Sequence, residues 1–101
     1  MDNAIQTILK DFNAHRRLSN TLTRLSKLIE QQALYAFSGD VDDIRRNYDL
    51  MLDFMRRGYT DERRNDLYDE MIGKTYRLIQ NIQLELKKKD NPSYHDAAYR
   101  L

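Results

Sequence analysis

The stretch that decides the fold is TDERRNDLYDEMIGKTYRLIQNIQLELKKK, residues 60–89. Its apolar side chains recur at alternating intervals of four and three residues. Because each residue of an α-helix turns the chain by about 100°, this spacing places them on one side of a helix over residues 61–89. A single amphipathic helix cannot shield its own apolar side from water, so the rest of the chain is expected to cover it. This apolar stripe contains Tyr68, Ile72, Thr75, Ile79, Ile82 and Leu86, and Leu67, Met71 and Leu78 widen it.

Both ends of this helix carry recognisable signals. Thr60 is a natural N-cap, because its hydroxyl can accept a hydrogen bond from a free N–H group of the first turn. Asp61 and Glu62 follow at the positive end of the helix dipole, and the run Lys87–Lys89 occupies its negative end. The sequence therefore predicts a helix that begins near Asp61 and ends near Lys89.

Composition limits the chain to a few classes of protein. With 101 residues it forms one domain or a piece of a larger protein, and 41% hydrophobic residues are enough for a core. The net charge of +1 provides no overall field that would attract nucleic acid or an anionic membrane. The chain has no cysteine, and no apolar run is long enough for a signal peptide or a membrane span. We therefore expect a cytoplasmic protein without disulfides.

The first part of the chain contains two apolar faces that do not align on one straight helix. The face up to residue 12 is turned by about 100° from the face that begins at residue 18. Either two helices, 2–16 and 18–37, meet near residues 13–20, or one kinked helix spans both. Cap-forming side chains at residues 18–21 favour a restart. The first face contains Ile5, Ile8, Leu9 and Phe12, and the second contains Leu18, Leu22, Leu25, Ile29, Ala33 and Ala36.

A further helix is predicted over residues 40–57. Gly39 can take the left-handed conformation that ends the preceding helix, and Asp40 can cap the next one. Gly58 stands where a helix terminator is expected, so the connection to the helix at 61–89 is very short. Short connections make consecutive helices antiparallel. The sequence therefore predicts an all-α fold over residues 1–90, an antiparallel up-down bundle of three to four helices.

The end of the chain carries the signal of a new element. Asn91 is a favourable N-cap, and Pro92 suits the first position of a helix, yet few residues follow. We interpret residues 91–101 as the start of a further helix or as a linker to a downstream region. This interpretation favours the chain being the N-terminal domain of a longer protein.

The sequence offers no recognisable catalytic or cofactor site. Its two histidines, His15 and His95, are far apart, and no set of His, Asp and Glu residues has the spacing of a metal site. Glycine-rich phosphate loops and the residue patterns of nucleophilic catalysis are also missing. We therefore expect neither enzyme activity nor a bound cofactor or metal, and we interpret the chain as a protein-interaction or regulatory module.

Four apolar or aromatic side chains fall off the predicted core stripes. Leu50 and Phe54 lie one turn apart on the same side of helix 40–57. Leu84 lies roughly opposite the apolar stripe of the last helix, and Tyr76 lies at its edge. A contiguous apolar patch marks a protein contact, whereas scattered exposed apolar residues are common. We predict that these four residues contact a protein partner or a second copy of the chain.

Paired arginines indicate an alternative function. Arg45, Arg46, Arg63 and Arg64, together with the run Lys87–Lys89, have the chemistry to bind the phosphates of a nucleic acid. Acidic residues lie three or four positions from nearly all of the arginine pairs, so ion pairs on a solvated face are the simpler interpretation. Nucleic-acid binding is therefore the weaker hypothesis, and membrane association is not expected.

Overall fold

The computed structural model describes residues 3–58 and 61–90. Within these ranges the chain forms four α-helices and a short 3₁₀ turn, with no β-strand. The all-α class predicted from the sequence is thus confirmed. Thr60, Asn91 and Pro92, for which capping and helix-start roles are predicted, lie outside the described residues. The helices are α1 (Asn3–His15), α2 (Leu18–Gln31), α3 (Ser38–Arg56) and α4 (Asp61–Asp90), and the 3₁₀ turn is Tyr35–Phe37.

Two separate helices, rather than one kinked helix, form the first part of the chain. The break falls at Arg16, whose backbone is left-handed with a φ of 50°, and at Arg17, which is extended with φ −86° and ψ 91°. The Arg16 N–H donates to the Phe12 carbonyl at 2.8 Å, and the Thr21 N–H donates to the Arg17 carbonyl at 2.9 Å. The predicted restart through a side-chain cap at residues 18–21 is wrong, because the N-cap is Arg17 and its side chain makes no capping hydrogen bond.

The predicted extent of the second helix, residues 18–37, is also wrong at its C-terminal end. α2 ends at Gln31, and the chain reverses before the 3₁₀ turn. Ala33 and Ala36, which the helical spacing assigns to the core face, are both exposed. Leu34, which that spacing leaves out of the face, is buried instead. Ending the helix early thus replaces two small side chains in the core by one large side chain, which buries more apolar surface.

A Schellman motif at Ala33 produces this reversal. Ala33 takes a left-handed φ of 54°. Its N–H donates to the Glu30 carbonyl at 3.3 Å, and the Leu34 N–H donates to the Ile29 carbonyl at 2.9 Å. Glycine is the usual residue at this position because an alanine Cβ is strained there. The buried Leu34 offsets that strain, since hydrophobic contact near the helix end accompanies this motif.

Gly39 and Asp40 do not form the turn that the sequence predicts. α3 begins at Ser38, so both residues lie in its first turn, where the Asp40 carboxylate meets the positive end of the helix dipole. Because the chain has already reversed at Ala33, Gly39 needs no left-handed conformation. At the other end of α3 the predicted terminator is confirmed, since Gly58 is left-handed with a φ of 74°.

The apolar stripe of α4 lies against the other three helices, as its spacing predicts. Tyr68 and Ile72 are half-buried, so the centre of the buried side is shifted towards Met71. The Thr75 hydroxyl is enclosed by the core and donates to the Met71 carbonyl at 2.7 Å, which satisfies it without leaving the helix. The buried residues of α4 are Met71, Thr75, Leu78, Ile79, Ile82 and Leu86.

Contacts between α1 and α4 fix how these two helices are placed. The Tyr68 hydroxyl donates to the Arg16 carbonyl at 3.4 Å, and the Tyr76 ring meets the Phe12 ring edge-on with centroids 4.9 Å apart. Tyr68, which comes first in α4, thus contacts the chain just after α1, whereas Tyr76 contacts the earlier Phe12. The two helices run in opposite directions along this contact.

Replacing Ala33 by glycine should stabilise the protein. At a φ of 54° the alanine Cβ is strained, so glycine should raise the free energy of unfolding by about 0.5 to 1 kcal/mol. Urea unfolding followed by circular dichroism measures the change. Ala14→Gly is the control, because Ala14 is exposed and lies in the last turn of α1, where glycine should lower the stability by up to about 0.5 kcal/mol. Equal losses in both variants would contradict the left-handed conformation of Ala33.

Gly73 offers a second stabilising substitution, in the middle of α4. A Cβ at this position meets no other side chain or neighbouring helix of the described chain within 4 Å, so alanine fits. Gly73→Ala should raise the free energy of unfolding by about 0.5 to 1 kcal/mol because it restricts the unfolded chain. Gly58→Ala should instead lower it, since Gly58 has a φ of 74°. A destabilised Gly73→Ala variant would show that this part of α4 is in closer contact than the structure has it.

Candidate interaction surfaces

The structure places two of the four predicted contact residues side by side. Leu50 and Phe54 lie one turn apart on α3, where Leu50 is 43% exposed and Phe54 is half-buried. Asp43, Arg46 and Arg57 share this side of the helix, because they follow the same spacing of three and four residues. We call these five residues the α3 outer face. Its exposed part lies opposite the buried stripe of α3, whereas Asp43 also lines the groove between α3 and α4.

Ion pairs flank the two apolar side chains of the α3 outer face. The Arg46 guanidinium pairs with the Asp43 carboxylate, and Arg57 Nε lies 3.2 Å from Asp53 Oδ2. Three of these charged side chains are largely exposed and Asp53 is partly exposed, and such pairs contribute little to stability. Their partners can therefore be exchanged at low cost when another surface approaches.

Tyr76 is used within the bundle. Its ring meets Phe12 edge-on at an interplanar angle of 68°, and its hydroxyl donates to Asn13 Oδ1. Phe12 is completely buried, so this contact fastens α4 to α1. The structure gives Tyr76 a packing role that the helical spacing alone did not show.

Leu84 is exposed but stands apart from the α3 outer face. It is 58% exposed and lies on the side of α4 opposite the buried stripe. The beginning of α3, at Asp40 and Ile44, lies beside residues 74–81 of α4. Leu84 lies on the C-terminal side of that contact in α4. Leu50 lies on its C-terminal side in α3, which leads away from Leu84. The four predicted contact residues therefore do not form one patch.

Three of the four arginines predicted as phosphate contacts have interaction partners. Arg45 Nη2 donates to Ser26 Oγ at 3.4 Å, and Arg46 is held in its ion pair on the α3 outer face. Arg64 also has an interaction partner, and the side chain of Arg63 lies outside the described residues. This pattern agrees with a solvated face of ion pairs more closely than with a row of free cations.

The three lysines at the end of α4 do not share one environment. Lys87 and Lys88 are exposed, whereas Lys89 Nζ donates to the Gln32 carbonyl at 2.8 Å. Gln32 is the C-cap of α2, so this bond satisfies a carbonyl at a helix end. Lys89 therefore joins the end of α4 to the end of α2.

A cleft of about 680 Å³ lies where α1 meets α2, and the sequence did not predict it. We call it the corner cleft. Its lining includes Arg16 and Arg17 from the break between the helices, Tyr48 and Met51 from α3, and Tyr68 from α4. The break itself brings the arginine pair to the surface, because the chain must turn back there to bury Leu18.

The corner cleft is positively charged. In the part of the chain that the structure describes, none of its lining residues is acidic, and the first turn of α2 carries no acidic side chain. Among residues 3–58 and 61–90, neither Arg16 nor Arg17 has an ion-pair partner. A signal for this did exist in the sequence. Of the four arginine pairs, 16–17 is the one with no Asp or Glu three or four positions away.

A groove between α2 and α3 lies beside Tyr35, which is 63% exposed in the 3₁₀ turn. The groove has a volume of about 440 Å³ and an apolar base of Ile29 and Val41. Its rim mixes charges of both signs, including Glu30 and Arg45. This mixture favours no particular sign of ligand.

Titratable side chains meet at one place on α1. Asp11 Oδ2 lies 3.2 Å from Arg24 Nη1, and Asp11 Oδ1 lies 3.9 Å from His15 Nε2. In the described part of the chain, no three His, Asp or Glu side chains come together as metal ligands. None of the helices in that part combines the length and the apolar character needed to cross a lipid bilayer.

No protein-family model, curated protein sequence or solved structure matches this chain.

The packing role of Tyr76 can be separated from a role in partner binding by its effect on stability. Tyr76→Ala removes the ring that covers Phe12 and should lower the free energy of unfolding by roughly 2 kcal/mol. Tyr76→Phe keeps the ring and removes one exposed hydrogen bond, so it should cost about 0.5 to 1 kcal/mol. Urea unfolding measures both, with Leu84→Ala as the control that should change stability by less than about 0.5 kcal/mol. An unchanged stability in Tyr76→Ala would show that the contact with Phe12 contributes nothing.

Proposed function

We propose that this chain is a non-enzymatic protein-interaction module, and that its α3 outer face docks onto a second copy of itself. The observation that carries the proposal is the exposure of Leu50 one turn from Phe54 on a single helix side. Isolated exposed apolar side chains are common, but one that continues into a second, half-buried apolar side chain and is rimmed by charge is typical of protein contacts.

The charges of the α3 outer face favour a second copy as the occupant. Asp43 lies seven residues before Leu50, and Arg57 lies seven residues after it. Two antiparallel copies of α3 that cross at Leu50 therefore bring each Asp43 opposite Arg57 of the second copy. In this antiparallel arrangement Leu50 of one copy also meets Leu50 of the other. A two-fold symmetric contact requires such self-complementarity.

The contact is expected to be weak. It offers the exposed Leu50, a half-buried Phe54 that already has an interaction partner, and two charge pairs. This is far less than the roughly 1,200 Å² of buried surface in stable complexes. Loss of translational freedom on association opposes so small a gain. The dimer should therefore form and dissociate with protein concentration, as in reversible assembly.

Sedimentation equilibrium over a hundredfold range of protein concentration tests the proposal. The wild-type chain should shift from monomer to dimer as concentration rises. Leu50→Asp should weaken the dimer by about tenfold or more, because a charge enters the apolar centre of the contact. Leu84→Asp is the matched control, because it places the same charge at an exposed leucine away from the face. A monomeric wild type, or equal effects of the two variants, would overturn the proposal.

A charge exchange tests the proposed direction of the two copies. Asp43→Arg should weaken the dimer, since it places two arginines opposite each other. Adding Arg57→Asp to the same chain should restore association by reversing both partners of the pair. If the double variant dimerises no better than Asp43→Arg alone, the antiparallel crossing at Leu50 is wrong.

Nucleic-acid binding finds less support. A phosphate-binding track needs several cations without acidic partners, because affinity depends on neutralising successive phosphates. The charge of Arg46 is offset by Asp43, and acidic residues also lie three or four positions from Arg45 and Arg64 in the sequence. The predicted phosphate contacts thus offer few free charges.

A further inference from the structure

We propose that the corner cleft binds an acidic segment of a polypeptide, in which carboxylates lie next to an apolar side chain. The cleft is a different surface from the α3 outer face, so this inference goes beyond the proposed dimer and does not depend on it.

The arginine pair supplies the charge for such a segment. Arg16 and Arg17 both line the cleft, and no acidic side chain of the described residues lines it with them. A guanidinium presents its N–H donors in a planar fork that matches the two oxygens of a carboxylate. Two adjacent guanidinium groups can therefore hold two carboxylates, or one carboxylate in a shared position.

Tyr48 adds a neutral donor beside the arginines. Its side chain lines the cleft and is half-buried, and its hydroxyl makes no hydrogen bond to another residue of the described chain. The Tyr68 hydroxyl, in contrast, donates a hydrogen bond to the Arg16 carbonyl at 3.4 Å. Tyr48 can therefore donate to a ligand oxygen, while Tyr68 holds the backbone that carries Arg16.

The floor of the cleft is apolar and continues beyond it. Leu18 and Met51 are buried at the base. Met55 lies one turn after Met51 on the same side of α3 and is 48% exposed, because the stripe extends past the core there. Methionine side chains adapt to irregular partners, so Met51 and Met55 suit an apolar residue that accompanies the carboxylates.

A peptide fits this arrangement better than a nucleic acid. Two free guanidinium groups match a short cluster of negative charge, whereas a nucleic-acid strand requires a longer row of cations. The aromatic side chains are half-buried in the wall, and one of them is tied to the backbone, so they do not form a stacking platform. The apolar floor also offers no favourable contact to a charged phosphate backbone.

Fluorescence anisotropy at low ionic strength tests the proposal. The probe is a labelled peptide in which pairs of glutamates alternate with leucine, and the reference peptide has glutamine in place of each glutamate. The double variant Arg16→Gln, Arg17→Gln should bind the acidic peptide about tenfold more weakly. The matched control is Lys87→Gln, Lys88→Gln, which removes the same net charge at exposed positions in the last turn of α4 and should bind within about twofold of wild type. Circular dichroism confirms that each variant keeps its helix content.

The wild-type chain provides a second measurement that needs no variant in the cleft. With ¹³C-labelled methionine methyl groups, the acidic peptide should shift the resonances of Met51 and Met55. The resonance of Met71, which is buried in α4, should stay unchanged.

Four results would overturn the proposal. One is equal binding of the acidic and the glutamine peptides, and another is equal weakening in both double variants. The third is the absence of a shift at Met51. The fourth is tighter binding of an oligothymidine of equal charge that is lost in the Arg16→Gln, Arg17→Gln variant, which would assign the cleft to single-stranded nucleic acid. None of these results bears on the dimer, which sedimentation measures without any peptide.

Discussion

The bundle depends on keeping one side of α4 out of water. A helix of 30 residues with an apolar stripe takes most of its stability from the tertiary packing of that stripe. The other three helices contribute the side chains that cover it, and Phe12 and Leu25 are among the most deeply buried. The break at Arg16 and the reversal at Ala33 both serve this requirement, since each returns the chain to α4. Two left-handed residues that are not glycine are therefore a consequence of covering a long helix with shorter ones.

Much of the fold could be predicted because hydrophobic spacing and packing agree over most of the chain. The period of residues 61–89 defines α4 to within one residue, and Gly58 marks the end of α3 by its conformation. The end of α2 could not be predicted in the same way. Ala33 is a good helix former, and nothing local indicates that it would take a left-handed conformation. The left-handed conformation is favoured because it allows Leu34 to be buried. That burial depends on the folded core and not on the residues next to Leu34 in the sequence.

The candidate surfaces differ in the same way, because some depend on one helix alone and others on how several helices meet. Leu50 and Phe54 were recognisable because both lie on one helix, where spacing alone determines the side that they share. Tyr76 was placed at the rim by the same spacing, but its contact with Phe12 joins residues 64 positions apart and depends on how α1 meets α4. The corner cleft combines three separate parts of the chain, so its shape was not visible in the sequence. Its charge was visible, since the pair Arg16–Arg17 lacks the acidic neighbours that accompany the other arginine pairs.

The bond from Lys89 Nζ to the Gln32 carbonyl limits how far the chain can be shortened. α4 is buried as far as Leu86, and the bond from Lys89 joins its last turn to the reversal at Ala33. A deletion that removes residue 89 would leave the C-cap carbonyl of α2 without this donor, next to the residue whose backbone is already strained. Shortened versions for crystallisation or for fusion to other domains should therefore keep the whole of α4, including its exposed outer surface.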